Sequence, residues 1–315
     1  SLVGSEMCIR DRHTYMGVYE IRDRDEAVSI MVDKANIAAD TIKNNYDCCV
    51  AYYDEHLLEI SIEQRRLLGE FEPALQNDEF VMYLQPQVKR DGAAKGAEAL
   101  VRWVHPSRGI LTPYAFIDIL ENAGLIYKLD LYIWEKAAQK LAEWKEKGYG
   151  SYHISVNIST KDFYIIDIYE TFTGLINKYG IAASNLHLEI TETTLMTDFE
   201  KNMNIIHKLQ DVGFRVEIDD FGSGYSSLNM LKDISADVLK IDMGFLRKSE
   251  NEVKGQDILE SIITLAGKIG MDVITEGVET KKQLDMLTMM GCHEFQGYYF
   301  SKPVPVSEFE EKYLV

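Results

Sequence analysis

Cysteine is scarce in this 315-residue chain, and the little there is has no pattern. Cys8, Cys48, Cys49 and Cys292 form neither a CxxC motif nor a disulfide framework. The composition therefore points to a reducing compartment, with a cytoplasmic location expected and no catalytic part for the thiols. Basic residues are outnumbered, 33 against 51 acidic, giving a formal charge of -18. That deficit argues against a general nucleic-acid or anionic-membrane surface. Any phosphorylated substrate must then be gripped by local cations or metals. No apolar run approaches the roughly 18 residues needed to span a bilayer, and no secretory signal is present. GxSxG, P-loop and GxGxxG signatures are missing where they would be expected. So is a zinc-type His/Cys ligand set: His153 and His187 are single histidines on strand-like runs and read as satisfied core or lining groups.

What is present is a chain with 46% hydrophobic residues, enough for a sizeable core in one large domain or two smaller ones. It begins at Ser1 rather than Met, so a fragment is expected. Residues 1–12 (SLVGSEMCIRDR) carry no periodicity and are expected to be an artefact or a disordered tail. Helical spacing over Asp25 to Asn45 and a β-like run from Cys48 to Tyr53 follow, too few pieces to close a core alone. Residues 55–77 read as a charged, amphipathic connecting helix.

From Glu79 the pattern changes. Phe80–Val88 and a second run ending near Trp103 flank an Asp91-Gly92 turn signal, a hairpin that makes the two strands antiparallel. Thr112-Pro113 reads as a helix N-cap with proline at the first helical position. Strand-like runs then alternate with helical ones: His153–Ile158, Leu186–Thr191, Phe214–Asp219, Val238–Ile241, Asp272–Thr275 and one near Glu294–Gly297. This is an α/β pattern. Six such units plus the hairpin suit a modified TIM-type (β/α)8 barrel with an antiparallel first strand, with a doubly wound open sheet as the alternative.

The polar residues favour the barrel. Asn157, Glu189, Asp219, Lys240, Glu276 and Gln296 lie at or just past successive strand ends, where barrel enzymes gather reactive groups. Asp219 and Asp220 stand side by side at the end of Phe214–Ile218 and open into Phe-Gly-Ser-Gly. Neighbouring side chains on a regular strand face opposite ways, so both carboxylates reach one site only where the strand has stopped. Glu98, Leu100 and Arg102 share one face, with Glu98 and Arg102 about 13 Å apart along the strand. Each residue alone has a plainer explanation. Asn157 could form a turn, Glu189 could be a solvated strand end, Lys240-Ile-Asp242 a surface pair, and Gln296 an edge cap. Together they suggest a hard, oxygen-rich site for two divalent ions, Mg²⁺ or Mn²⁺.

The quoted residues resemble a known family, the EAL-domain cyclic-di-GMP phosphodiesterases. The match spans residues 68–315 in order. It runs through Tyr83-Leu-Gln85-Pro86, Glu98-Ala-Leu-Val-Arg102-Trp103, His105-Pro106, Gly124-Leu-Ile126 and Ser155-Val-Asn157. It continues through Glu189-Ile-Thr-Glu192, Asp219-Asp-Phe-Gly-Ser-Gly-Tyr-Ser-Ser-Leu228, Leu239-Lys-Ile-Asp242, Glu276-Gly-Val-Glu279 and Gln296-Gly-Tyr-Tyr-Phe-Ser-Lys-Pro303. The resemblance implies the barrel with its antiparallel first strand, hydrolysis of cyclic di-GMP to linear pGpG, and a homodimer. It implies Glu98, Asn157, Glu189 and Asp219 around one ion, and Asp219, Asp220 and Glu276 around the other. Lys240 would orient the attacking water and Gln296 would lie near it. Gln85, Leu100 and Arg102 would contact substrate, Asp242 would be placed to accept a proton, and Glu192 would anchor the Asp-Phe-Gly-Ser-Gly loop. The chain departs from the usual pattern at Ile234-Ser235-Ala236 and at Met243-Gly244, which removes no ligand. Residues 13–54, through Gly17-Val-Tyr19, Asp33-Lys-Ala-Asn36 and Tyr52-Tyr-Asp54, resemble the C-terminal end of a GGDEF-type α+β domain. No nucleic-acid polymer and no membrane contact are expected of this segment, with any tether lying upstream. The main alternatives are a non-catalytic cyclic-di-GMP receptor and a broad metallophosphatase acting on monoesters.

Overall fold

The computed structural model describes residues 14–43, 49–221, 234–244 and 252–314. The chain divides into two compact units between Glu72 and Pro73. In the first, strands β1 (Met16–Val18) and β2 (Val50–Tyr52) pair in parallel, joined through helix α1 (Val28–Asp40). Gly17 lets the helix lie against the strand, because a Cβ there would sit 1.7 Å from the Ala35 carbonyl oxygen. The helix expected from Asp25 starts three residues later. The Asp23 carboxylate accepts the Asp25 N–H at 2.9 Å, a local turn that competes with helix entry. Helix α2 (Glu55–Gln76) follows.

The second unit opens with the expected hairpin. β3 (Phe80–Lys89) and β4 (Ala94–His105) pair antiparallel, with Gln85 opposite Glu98 and Tyr83 opposite Leu100. Gly92 takes φ +85° in the turn between them. A short strand β5 (Gly109–Leu111) folds back on β4. Thr112-Pro113 then opens only a single 3₁₀ turn, without a side-chain cap, and the first helix, α3 (Ile117–Ala123), begins after Phe116. Helix α4 (Ile126–Glu146) leads into the repeating part. That part comprises β6 (His153–Ile158), α5 (Asp162–Ile165), α6 (Ile168–Tyr179), β7 (Leu186–Thr191), α7 (Glu192–Thr197), α8 (Phe199–Val212) and β8 (Arg215–Asp219). It continues with β9 (Val238–Asp242), α9 (Glu252–Lys268), β10 (Asp272–Glu276), α10 (Lys281–Met289), β11 (Glu294–Phe295), β12 (Val304–Pro305) and α11 (Val306–Tyr313).

The strands close on themselves in the order β3-β4-β6-β7-β8-β9-β10-β11, and β11 returns to β3 through Glu294 opposite Lys89 and Phe295 opposite Val88. That last pairing rules out an open sheet. Every neighbouring pair in the ring is parallel except the two that involve β3. The fold is thus the expected eight-stranded barrel with a reversed first strand.

Strict alternation explains where the core sits. On β6 and β7 the apolar residues Ile154, Val156, Ile158, Leu186, Leu188 and Ile190 are all buried, as are Val216 and Ile218 on β8. They face the surrounding helices, where Trp134 and Trp144 are also buried. The alternate residues of the same strands are His153, Ser155, Asn157, His187, Glu189, Glu217 and Asp219. They point inward, so the barrel's interior is polar and its greasy layer lies outside the sheet. Among the described residues, no helix is long and apolar enough to cross a membrane.

Candidate active site

The C-terminal mouth of the barrel gathers residues from six strands around one ammonium group. Lys240 on β9 is only 1% exposed. Its Nζ lies 2.8 Å from Glu189 Oε1, 2.7 Å from Glu276 Oε1, 3.4 Å from Asp219 Oδ1 and 3.5 Å from Glu98 Oε2. Asn157 Nδ2 donates to Glu98 Oε1 at 3.2 Å, and Gln296 donates to the other Glu98 oxygen. Gln296 also reaches Gln85 Oε1 at 3.4 Å, while Gln85 donates to the Ser301 carbonyl. Eight of the sequence candidates therefore meet in one connected cluster. The surface-pair explanation of Lys240 does not hold.

Asp220 joins the mouth by a backbone device. β8 ends at Asp219, and Asp220 takes φ +56°, in the left-handed region that non-glycine residues seldom adopt. Partial burial, then repulsion from Asp219 and Asp242, raises its carboxyl above the ordinary range. Higher on the β4 face, Leu100 and Arg102 are half-buried. The Arg102 guanidinium lies 5.5 Å from the Tyr83 ring centroid, and its Nη1 donates to the Val101 carbonyl at 2.8 Å. Asp242 is exposed, and its Oδ1 accepts the Gly244 N–H at 2.7 Å. Glu192 opens α7, but the loop expected to rest on it, residues 222–228, lies outside the described residues.

The electrostatics of the cluster are those of a site short of positive charge. Burial, followed by repulsion from Glu98, pushes the Glu189 carboxyl well above its usual range. Burial also dominates at Glu276, pushing its carboxyl up to about 8 against the pull of the Lys240 ammonium, with repulsion from Asp219 and Glu98 adding to the rise. Burial alone would lower the Lys240 ammonium, yet the surrounding carboxylates hold it well above its normal value. Both Glu189 oxygens, Asp219 Oδ1 and Glu276 Oε1 are buried without a well-aligned hydrogen-bond donor. Four carboxylates and an amide oxygen donor, with open valence on the acids, fit hard divalent cations such as Mg²⁺ or Mn²⁺.

Sequence reading missed a second layer. Beside the mouth, a cavity of about 290 Å³ is bounded in part by Leu100, Trp134, Asn157 and Asp130. Burial, then the neighbouring Asp162, raises the Asp130 carboxyl well above its ordinary value, and the two acids share a hydrogen bond. At the opposite end of the barrel, His153 and His187 stack face to face with ring centroids 3.8 Å apart. Together with Glu217, they bring one ligand atom each to within 4.8 Å of the others. Both histidines are buried, hydrogen-bonded lining groups as expected, but they are neighbours rather than isolated, because β6 and β7 are adjacent parallel strands. Burial, then the neighbouring His187, lowers the His153 imidazole well below its usual range, which keeps it neutral.

The sequence profile described as the EAL domain matches residues 69–303. The chain belongs to the EAL domain family. It is 32% identical over 272 residues to the bifunctional diguanylate cyclase/cyclic di-GMP phosphodiesterase MucR of Pseudomonas aeruginosa, a match covering 86% of this chain and 39% of that protein. It is 33% identical over 240 residues to the cyclic di-GMP phosphodiesterase PdeR of Escherichia coli K12, covering 76% of this chain and 36% of PdeR. The chain thus spans well under half the length of these relatives. Among solved EAL structures, that of the MucR phosphodiesterase in complex with c-di-GMP is 33% identical with a TM-score of 0.73, covering 78% of this chain and 99% of that one. The EAL enzyme Bd1971 bound to cAMP and cyclic di-GMP is 31% identical with a TM-score of 0.73, covering 80% of this chain and 69% of that one.

Proposed function

We propose that this EAL domain hydrolyses cyclic di-GMP to linear pGpG at the barrel mouth. The reading rests on one observation above the rest: Glu98, Glu189, Asp219 and Glu276 surround Lys240 within 3.5 Å of its ammonium. It is supported by the relatives named for cyclic di-GMP phosphodiesterase activity. When bound, two divalent ions would supply Lewis acidity, lowering the pKa of a water and neutralising charge on the scissile phosphate. Glu98, Asn157, Glu189 and Asp219 would hold one ion; Asp219, Asp220 and Glu276 would hold the other.

The remaining work falls to the chain's own residues. Lys240, fixed by its carboxylate neighbours, holds the nucleophile's oxygen and opposes the charge that develops in the transition state. Gln296, whose amide nitrogen donates to Glu98 and Gln85, fixes the Glu98 carboxylate and leaves its amide oxygen to accept a hydrogen bond from the attacking water. Arg102, laid over Tyr83, grips the second phosphate of the cyclic dinucleotide as a planar donor. Asp242 receives the proton released by the attacking water, using the oxygen not bonded to Gly244.

Product analysis tests the proposal. The purified protein is incubated with cyclic di-GMP and Mn²⁺, with and without chelator, and nucleotides are resolved by chromatography. Linear pGpG that appears only without chelator is the expected result. Cyclic di-GMP bound but left intact would make the chain a receptor, and comparable cleavage of p-nitrophenyl phosphate would make it a broad phosphatase. Light scattering tests the homodimer expected from the family resemblance.

A further inference from the structure

At the rim of the mouth, Arg102 is held apart from the acids below it. It is half-buried on the same face of β4 as Glu98, about 13 Å further along the strand. Its Nη1 donates to the Val101 carbonyl at 2.8 Å, and among the described residues no carboxylate forms an ion pair with it. Electrostatics alone would favour a different arrangement. Glu98, Glu189, Asp219 and Glu276 crowd around Lys240 at the same end of the barrel. A long, flexible side chain carrying a cation so near would be drawn down onto them.

The Tyr83 ring supplies the restraint. Tyr83 pairs with Leu100 and Val81 with Arg102, so Tyr83 is the diagonal neighbour of Arg102 on the inner face. An aromatic ring and a long side chain bridge that separation. The Arg102 Cζ lies 5.5 Å from the ring centroid, within range of a cation–π contact. Partial burial lowers the guanidinium below its ordinary value, and Tyr83 is the foremost group opposing that shift, ahead of Tyr298 and Glu98. The backbone beneath the ring is firmly placed. β3 is paired on both sides there, with Leu100 of β4 and Pro305 of β12 each opposite Tyr83. Only one donor goes to the Val101 carbonyl, so most of the planar fork remains available to an anion.

We propose that Tyr83 is a positioning residue whose ring holds the Arg102 guanidinium at the rim, clear of the acid cluster, where it meets the phosphate of a cyclic dinucleotide that is not being cleaved. Without the ring, Arg102 folds toward the carboxylates and is neutralised by them. Tyr83 thereby sets the preference for a substrate with two phosphates over a diester with one. This inference rests on the reading of the mouth as a cyclic-di-GMP site and adds the residue that keeps its outer cation free.

Initial rates are measured on the full chain with Mn²⁺, for cyclic di-GMP and for bis(p-nitrophenyl) phosphate, a diester with a single phosphate. Tyr83→Leu should raise KM for cyclic di-GMP by about three- to tenfold, the worth of a partly desolvated cation–π contact, with any fall in kcat smaller than that. The preference for cyclic di-GMP over the single-phosphate diester should fall by the same factor. Tyr83→Phe keeps the ring and should restore both. In an Arg102→Ala background, Tyr83→Leu should have no further effect, because the ring acts through the guanidinium. An unchanged KM in Tyr83→Leu, no rescue by phenylalanine, or full additivity with Arg102→Ala would each overturn the assignment. Tyr83→Gln, also without a ring, carries the same test if the leucine variant does not fold. Wild-type protein that binds cyclic di-GMP without cleaving it would refute the enzymatic reading alone, and the calorimetric Kd then replaces KM in the same set of variants. Wild-type protein that neither binds nor cleaves it would refute both.

Discussion

Replacing Lys240 with methionine removes the ammonium shared by four carboxylates at the mouth. At 2.7 and 2.8 Å and an effective dielectric near 20, each of the two closest pairs contributes about 6 kcal/mol of attraction before desolvation. The net effect is smaller, because burying the ammonium costs several kcal/mol and because Glu276 and Glu189 take up protons readily once the cation is gone. Removing one partner of a buried ion pair typically destabilises by about 3–5 kcal/mol. In a unit of about 240 residues, each kcal/mol moves Tm by roughly 2–4 °C, so Lys240→Met should lower the metal-free Tm by roughly 6–20 °C at neutral pH. Mn²⁺ should recover most of that loss, since the acids then regain a counter-charge. Turnover of cyclic di-GMP should nevertheless stay at least about 100-fold down, the usual worth of a group that positions the reacting proton or water. Scanning fluorimetry and product chromatography on the same samples measure both. An unchanged metal-free Tm would refute the electrostatic argument, and turnover restored along with Tm would refute the catalytic one.

Glu98→Ala should cut turnover by at least about 1,000-fold in a metal-controlled assay, and retained activity would reject its place as a ligand. Asp220→Gly should raise stability to denaturant by roughly 0.5–1 kcal/mol while lowering turnover, because it relieves φ +56° and like-charge repulsion but removes a carboxylate. A less stable variant would show that no strain is held there. Asp130→Asn tests the buried acid pair through pH. The folded protein binds the Asp130 proton more tightly than the unfolded chain does, so the stabilisation is complete below about pH 3.8 and is lost as pH rises through the raised value. The variant should therefore gain most in Tm at alkaline pH, and an equal shift at every pH would reject the assignment.

The barrel was legible because its strands are short apolar runs bounded by glycine or by charge, and β6 and β7 begin and end at the expected residues. The mouth was legible because strand ends put polar residues where no core role explains them. Glu217 escaped notice because it sits inside an apolar run, where one polar residue looks like noise until closure shows that alternate positions face a polar interior. His153 and His187 looked solitary because strand register, which sequence spacing does not reveal, is what makes them neighbours. Thr112 and Pro113 do take the N-cap and first helical positions, but what they open is a single 3₁₀ turn. Pro113 favours a tight turn, but Phe116 takes φ -142°, so the helix has to begin again beyond it.

The reversed first strand decides where the backbone enters the cylinder. A regular eight-fold barrel is threaded from its floor, but here Phe80 stands level with Trp103 at the reactive rim, and the chain descends past Gln85 before turning back. The chain ahead of Glu79 therefore joins the barrel at its rim, through a strand held by Glu98's strand on one side and by β11 and β12 on the other.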